Sequence, residues 1–276
     1  MIAYSDGIGY YLEYHHSSRN LPVLVMMHGC MGSGEAFRPI AENLLSHCNP
    51  LLIDLAGHGR TQTPADPALF STDRQVNQLQ SVLKRLSLSP MIGYGYSMGG
   101  RLLLQLAVKH PELFDGLFIE SSHCGLQSEQ EKSIRIKEDE QRARRIETEF
   151  NSFIDDWLRL PLFSGTSDKQ TAKYRKLMLS QDPKLLACSL RGFGAGSMPS
   201  VCDRLQHLPM PLYLIAGGQD ERYVNRMSEM SKKCNDCTFQ IVEGAGHRVH
   251  ADRPQEIAEM IKHTLETRYH VRVENR

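Results

Sequence analysis

The chain has no excess of charge of either sign, because 32 Lys and Arg balance 32 Asp and Glu. Without a basic footprint, nucleic acid and anionic membrane surfaces are not expected as partners. It also lacks a long hydrophobic run: the first apolar stretch, Leu21 to Met27, is too short to span a bilayer. Met1 to Gly9 carries Asp6 and has no targeting character, so a cytoplasmic location is expected. The seven cysteines are scattered and odd in number, which argues against a disulfide framework. Cys234 and Cys237 form a C-x-x-C, but no second pair stands at zinc-site spacing, so they read as a surface or half-buried thiol pair. No internal repeat or low-complexity tract interrupts the chain. What these absences leave is a globular protein with a small-molecule partner. At 276 residues, folding buries about three-quarters of the unfolded surface, enough for one large core.

Short apolar runs alternate with amphipathic stretches. Leu21 to His28, Pro50 to Asp54, Pro90 to Tyr96, Leu117 to Glu120, Pro211 to Gly217 and Thr238 to Glu243 read as strands. Their lack of polar alternation suggests strands covered on both faces, as in a parallel sheet. Tyr10 to Tyr14 alternates enough to be an antiparallel edge strand. Helices are expected at Glu35 to Leu45, Thr72 to Leu86, Gly99 to Lys109, Arg226 to Lys233 and Gln255 to Thr267. In the last, Ile257, Ile261 and Leu265 recur every four residues behind Pro254. This order predicts an α/β fold with a mostly parallel, doubly wound sheet. Between Ser121 and about Leu208 the rhythm breaks into charged, helical sequence. Ser128 to Phe153, Trp157 to Phe163 and Asp168 to Ser180 are its expected helices. An insertion there lies over the carboxyl ends of the strands, where ligands bind. The expected organisation is a core of residues 1–120 and 209–276 with a helical lid of residues 121–208.

Gly95-Tyr96-Ser97-Met98-Gly99 fits G-x-S-x-G, with an apolar strand leading in and a leucine-rich helix leading out. That context suits a nucleophile held on a sharp, strained turn at a helix N-terminus. A serine needs a histidine to take its proton and a carboxylate to orient that histidine. Asp220 and His247 each follow a strand and keep the chain order Ser, Asp, His. Glu221 and Glu243 are the rival acids, and His250 the rival histidine. Backbone N–H donors for a developing oxyanion are expected from Met98 and from Cys30 in the loop His28-Gly29-Cys30-Met31-Gly32. His28 could be taken as a metal ligand with Asp54 and His58 nearby, but the set does not complete at suitable ligand spacing, so no metal is expected. Gly93, Gly95 and Gly99 match a dinucleotide fingerprint only loosely, so no nucleotide cofactor is expected.

These motifs resemble those of the α/β-hydrolase fold. Together with the lid they resemble the 2-succinyl-6-hydroxy-2,4-cyclohexadiene-1-carboxylate synthase family, lyases of menaquinone biosynthesis. The resemblance covers nearly the whole chain. It rests on HGCMGSGEAF at His28, IDLAGHGRT at Ile53, GYSMGGRLLL at Gly95, IESSHCGLQSEQEKSIR at Ile119, FIDDWLRLPLF at Phe153, SQDPKLLACSLRGFGAGSMPS at Ser180 and GAGHRVHADRPQEIA at Gly244. It implies elimination of pyruvate from an enolpyruvyl cyclohexene bearing several carboxylates, with Ser97 as general base. It also implies Tyr96, Arg101, Arg135 and Trp157 as substrate-binding residues. Guanidinium forks suit such a polycarboxylate substrate. Arg142, Arg144 and Arg145 read as surface residues. One departure stands in the lid, where an arginine of the family's pattern is Met178 here, with Arg175 and Lys176 close by. A serine hydrolase of a small ester, thioester or carbon–carbon bond remains the alternative, because the Ser-His-Asp set serves both chemistries.

Overall fold

The computed structural model describes residues 1–271, so 272–276 of the expected core lie outside the described residues. Among the described residues eight strands form one sheet: β1 (Ile2–Ser5), β2 (Ile8–Tyr14), β3 (Val23–Met27), β4 (Asn49–Ile53), β5 (Met91–Tyr96), β6 (Gly116–Glu120), β7 (Leu212–Gly217) and β8 (Cys237–Val242). Their spatial order is β1-β2-β4-β3-β5-β6-β7-β8. β2 pairs antiparallel with β1 and β4, and every other neighbouring pair is parallel. The sequence reading put β2 at the edge. The edge is β1, whose half-exposed IAYS has too weak an apolar signal to stand out.

Among the described residues ten α-helices accompany the sheet: α1 (Arg38–Asn43), α2 (Thr72–Leu86), α3 (Met98–Lys109), α4 (Glu129–Thr148), α5 (Phe150–Leu158), α6 (Asp168–Leu179), α7 (Pro183–Phe193), α8 (Glu221–Ser231), α9 (Val249–Asp252) and α10 (Pro254–Arg268). Alternate residues of each buried strand supply opposite faces. Val23, Val25 and Met27 of β3 pack with α2, α3 and α8. Leu24 and Met26 of the same strand pack with α1 and α10. In α10 the expected stripe Ile257, Ile261 and Leu265 is fully buried, each side chain contributing about 1.5–3 kcal/mol. A charge at Ile261 would detach the helix.

Helices α4–α7 lie between β6 and β7 and have their own apolar cluster, in which Ala143, Ile146, Phe153, Ile154 and Met178 meet Met31 of the sheet side. The expected helix from Trp157 to Phe163 is not present as such. Trp157 belongs to α5, which ends at Leu158, and Pro161 opens a separate short 3-10 turn, Pro161–Phe163. α7 was not anticipated, although Asp182 caps the Lys184 and Leu185 N–H groups (2.8 and 3.2 Å) and Pro183 occupies its first turn. α8 starts at Glu221, one turn earlier than Arg226. A Cys124–Cys202 disulfide joins the two ends of this inserted segment, a bridge that cysteine spacing does not reveal. Cys234 and Cys237 are free and half-buried.

Candidate active site

Ser97 ends β5 and precedes α3 with φ +51° and ψ −108°, a conformation that L-residues adopt only under constraint. The constraint is visible around it. Its N–H donates to the Glu120 carbonyl (2.9 Å), and its own carbonyl accepts from Ser122 Oγ (2.7 Å). Glycine is required next door: a Cβ on Gly99 would lie 2.1 Å from the Met27 carbonyl oxygen. Gly100 is equally confined, with a Cβ 2.7 Å from that of Ser122. The turn thus forces the Ser97 hydroxyl outward, behind the carboxyl ends of the strands.

His247 Nε2 lies 3.1 Å from Ser97 Oγ, and its Nδ1 lies 2.6 Å from Asp220 Oδ2. With the proton on Nδ1, the ring donates to Asp220 and leaves Nε2 to accept from serine. Asp220 caps α8, and its other oxygen accepts the Tyr223 N–H at 3.4 Å. His247 and Asp220 are both almost fully buried. The rival acids Glu221 and Glu243 are exposed. His250 belongs to a second buried set: its Nδ1 faces Glu120 Oε1 at 2.8 Å, Tyr94 donates to the same carboxylate, and its Nε2 meets Tyr174 Oη at 2.8 Å.

A cavity of about 540 Å³ opens above Ser97. Its wall includes the expected residues Cys30, Tyr96, Met98, Arg101, Arg135, Trp157, Asp220 and His247. The Tyr96 ring stands edge-on to both His247 and His250, at 5.4 and 4.6 Å between centroids. Gly29 admits that ring, since a Cβ there would lie 2.5 Å from it. Burial pushes the Cys30 thiol up to about 11, so it is neutral at pH 7. Trp157 stacks on Phe153 and is half-buried.

Arg101 is buried, and its hydrogen bond is to the Phe193 carbonyl at 3.4 Å. Burial, and then the nearby Arg135, push it below the ordinary arginine value. No carboxylate pairs with it among the described residues. Arg135 is bound instead to Asp139, its own neighbour one turn along α4, at 2.8 Å. Arg142, read as a surface residue, also lines the cavity, over the Trp157 ring and paired with Glu138 and Asp139. Arg144 is exposed, and Arg145 pairs with Asp156 at the surface of the inserted segment. Met178 is buried at the cavity wall; Arg175 is exposed and paired with Asp155, and Lys176 is exposed, so neither enters. Sequence reasoning missed Arg248, which lines the cavity although its position beside His247 was a local signal.

His28 is accounted for without a metal. Its Nδ1 donates to the Gly29 carbonyl (2.7 Å) and its Nε2 accepts the Leu55 N–H (3.0 Å). Among the described residues no group of three or more His, Cys, Asp or Glu is placed to hold a metal ion, and no helix is long and apolar enough to cross a membrane.

Residues 22–254 match the family model described as alpha/beta hydrolase fold. A Bacillus subtilis (strain 168) protein with a provisional 2-succinyl-6-hydroxy-2,4-cyclohexadiene-1-carboxylate synthase name is 32% identical over 96% of this chain and 97% of its own. The chain belongs to that family within the α/β-hydrolases. A Salmonella heidelberg (strain SL476) protein named as the same synthase is 27% identical over 88% of this chain and 94% of its own. The structure of MenH from S. aureus superposes with a TM-score of 0.87 at 27% identity, covering 92% and 97% of the two chains.

Proposed function

We propose that the protein is a cytoplasmic lyase of menaquinone biosynthesis. It releases pyruvate from 2-succinyl-5-enolpyruvyl-6-hydroxy-3-cyclohexene-1-carboxylate and leaves the 2-succinyl-6-hydroxy-2,4-cyclohexadiene-1-carboxylate. Ser97, its proton drawn to His247 Nε2, removes the ring proton alpha to the succinyl ketone. Asp220 holds the ring orientation and stabilises the imidazolium. The backbone N–H groups of Cys30 and Met98 hold the enolate oxygen. Collapse of the enolate through the ring alkene breaks the carbon–oxygen bond to the enolpyruvyl group and forms the diene. The expelled enolpyruvate takes up a proton and becomes pyruvate. The step uses no water and no cofactor.

The observation that carries this reading is the charge of the cavity. Among the described residues five guanidiniums (Arg101, Arg135, Arg142, Arg222 and Arg248) line it against two carboxylates. Asp220 is committed to His247, and Arg135 and Arg142 are paired behind the wall with Asp139 and Glu138, which leaves Arg101, Arg222 and Arg248 without an acidic partner among those residues. Such a wall fits a polycarboxylate better than a neutral ester. Tyr96, Arg101, Arg135 and Trp157 are the proposed substrate contacts. Ser97 acting as a nucleophile would make the same site a hydrolase, and one experiment separates the two. Pyruvate release is followed with lactate dehydrogenase and compared with hydrolysis of a nitrophenyl ester. The expected result is pyruvate release with slow ester cleavage. Fast ester cleavage without pyruvate would overturn the lyase reading.

A further inference from the structure

Arg248 is the residue after His247, and only 1% of it is exposed. Its guanidinium is clamped between two rings, with its central carbon 3.8 Å from the Phe163 centroid and 4.1 Å from that of Tyr174. Both terminal nitrogens are buried and lack a hydrogen-bond partner. No ion pair reaches it among the described residues, yet it lines the cavity that holds Ser97. Burying a cation without a partner is costly, and proteins keep such an arrangement where something else supplies the negative charge. The two ring contacts hold the guanidinium in place, and no hydrogen bond within the described residues occupies its terminal nitrogens. The clamp itself is well anchored. Tyr174 is hydrogen-bonded to His250, which is bonded to Glu120, and the Leu162 carbonyl beside Phe163 accepts the His247 N–H at 3.1 Å.

We propose that Arg248 is an anion subsite of the reaction cavity and receives a carboxylate of the substrate. The proposal rests on the polycarboxylate substrate argued above. The planar fork takes both carboxylate oxygens in two parallel N–H···O bonds. The aromatic faces keep the cation in place and dry before the ligand arrives. Arg101 is the second buried guanidinium of the cavity without an acidic partner, so two carboxylates of one molecule have separate receptors.

The test is binding rather than turnover. The probe is 2-(3-carboxypropanoyl)benzoate, a stable aromatic ketone with a ring and a chain carboxylate, titrated calorimetrically. It is compared with two analogues in which one or the other carboxylate is a primary amide. Arg248→Met, which keeps the apolar packing between the rings, is expected to weaken binding of the dicarboxylate by at least about tenfold. Its labelling by an uncharged fluorophosphonate should stay near the wild-type rate, which shows that Ser97 and His247 are intact. One amide should bind both proteins equally, and that amide marks the carboxylate Arg248 receives. Equal affinity of the dicarboxylate for both proteins, sensitivity to Arg248→Met with every analogue alike, or no binding by the wild-type protein would each overturn the proposal. Should Arg248→Met fail to fold, Arg248→Lys keeps a cation between the rings. It is then expected to bind the dicarboxylate several-fold more weakly through loss of the fork, and unchanged affinity there overturns the proposal equally. A wild-type protein that binds the probe through Arg248 but releases no pyruvate would sink the lyase reading and leave the subsite standing.

Discussion

Along the floor of the cavity, carried by the sheet, the carboxylates and histidines are buried and hydrogen-bonded to one another or to the backbone: Asp220 with His247, Glu120 with His250 and Tyr94, His28 with the Leu55 N–H and the Gly29 carbonyl. Across its roof, α4–α7, the charges are more numerous, largely exposed and exchanged among neighbours, as in Arg144 with Glu140, Arg145 with Asp156 and Arg175 with Asp155. Buried pairs fix geometry because losing one partner strands the other. Exposed pairs contribute about 0–1 kcal/mol and tolerate rearrangement. On the proposed function, the floor holds the proton path in place and the roof fits the substrate over it.

The sharpest test of that contrast lies in the floor. Ser97→Ala and His247→Ala are each expected to lower turnover by at least about 10³-fold, with the double mutant little worse, because the residues act as a unit. Thermal melting should move little. Losses that multiply in the double mutant would break the shared proton path.

Acid titration of the fold is the next largest effect. Burial pushes His28 down to about 4, and burial together with the His28 ring, 5.2 Å away, pushes His58 down to about 3. Below pH 6.5 the unfolded chain takes up these protons and the folded chain does not, so stability falls with pH until the folded values are reached. The loss runs from about pH 6.5 to 4 and amounts to at most about 3 kcal/mol for His28. Urea midpoints across this range measure it, and His58→Leu is expected to flatten the curve. A midpoint that does not change down to pH 4 would contradict a neutral, buried floor.

What the sequence made legible follows the same division. The elbow was readable because its constraints are local: Gly95 to Gly99 lie within one turn, and strand and helix flank them directly. Asp220 and His247 were readable from chain order at strand ends. The Arg248 clamp was not, because its partners Phe163 and Tyr174 come from separate elements of the inserted segment and only the tertiary fold unites them. Arg142 was misread for a related reason: a charged helix such as α4, which buries little beyond Asp139, Ala143 and Ile146, gives no periodic signal for which face looks inward. The capping signal of Asp182-Pro183 was present, but the apolar periodicity after it was short.

Arg101 joins floor to roof, for it stands on α3 and hydrogen-bonds the carbonyl that ends α7. Arg101→Lys keeps the charge but loses the fork, and kcat/KM is expected to fall about tenfold, about 1.4 kcal/mol. Unchanged kinetics would remove Arg101 from the proposed substrate contacts and leave the carboxylates to the remaining arginines.

The smallest effect is expected in the roof. Arg191 on α7 grips Glu140 and Glu147 of α4, at 2.9 and 2.7 Å, and so ties these two helices together. It and Arg144 hold Glu140 down to about 2. Glu140 is more than a third exposed, however, so water and salt screen most of that attraction. The stability it contributes is present above the ordinary glutamate value and fades as pH falls toward 2. Arg191→Met is therefore expected to cost no more than about 1 kcal/mol at neutral pH, because the two helices still share their apolar packing, and less in high salt. Labelling of Ser97 by a fluorophosphonate should be unaffected, since nothing in the floor leans on this pair. KM for the cyclohexene substrate is the sensitive readout: a roof that fits the substrate by adjusting α4 against α7 should show a modest KM rise with kcat retained. A loss of several kcal/mol, or a fall in kcat like that of the floor mutants, would mean that roof and floor are one rigid unit and that the contrast drawn between them is wrong.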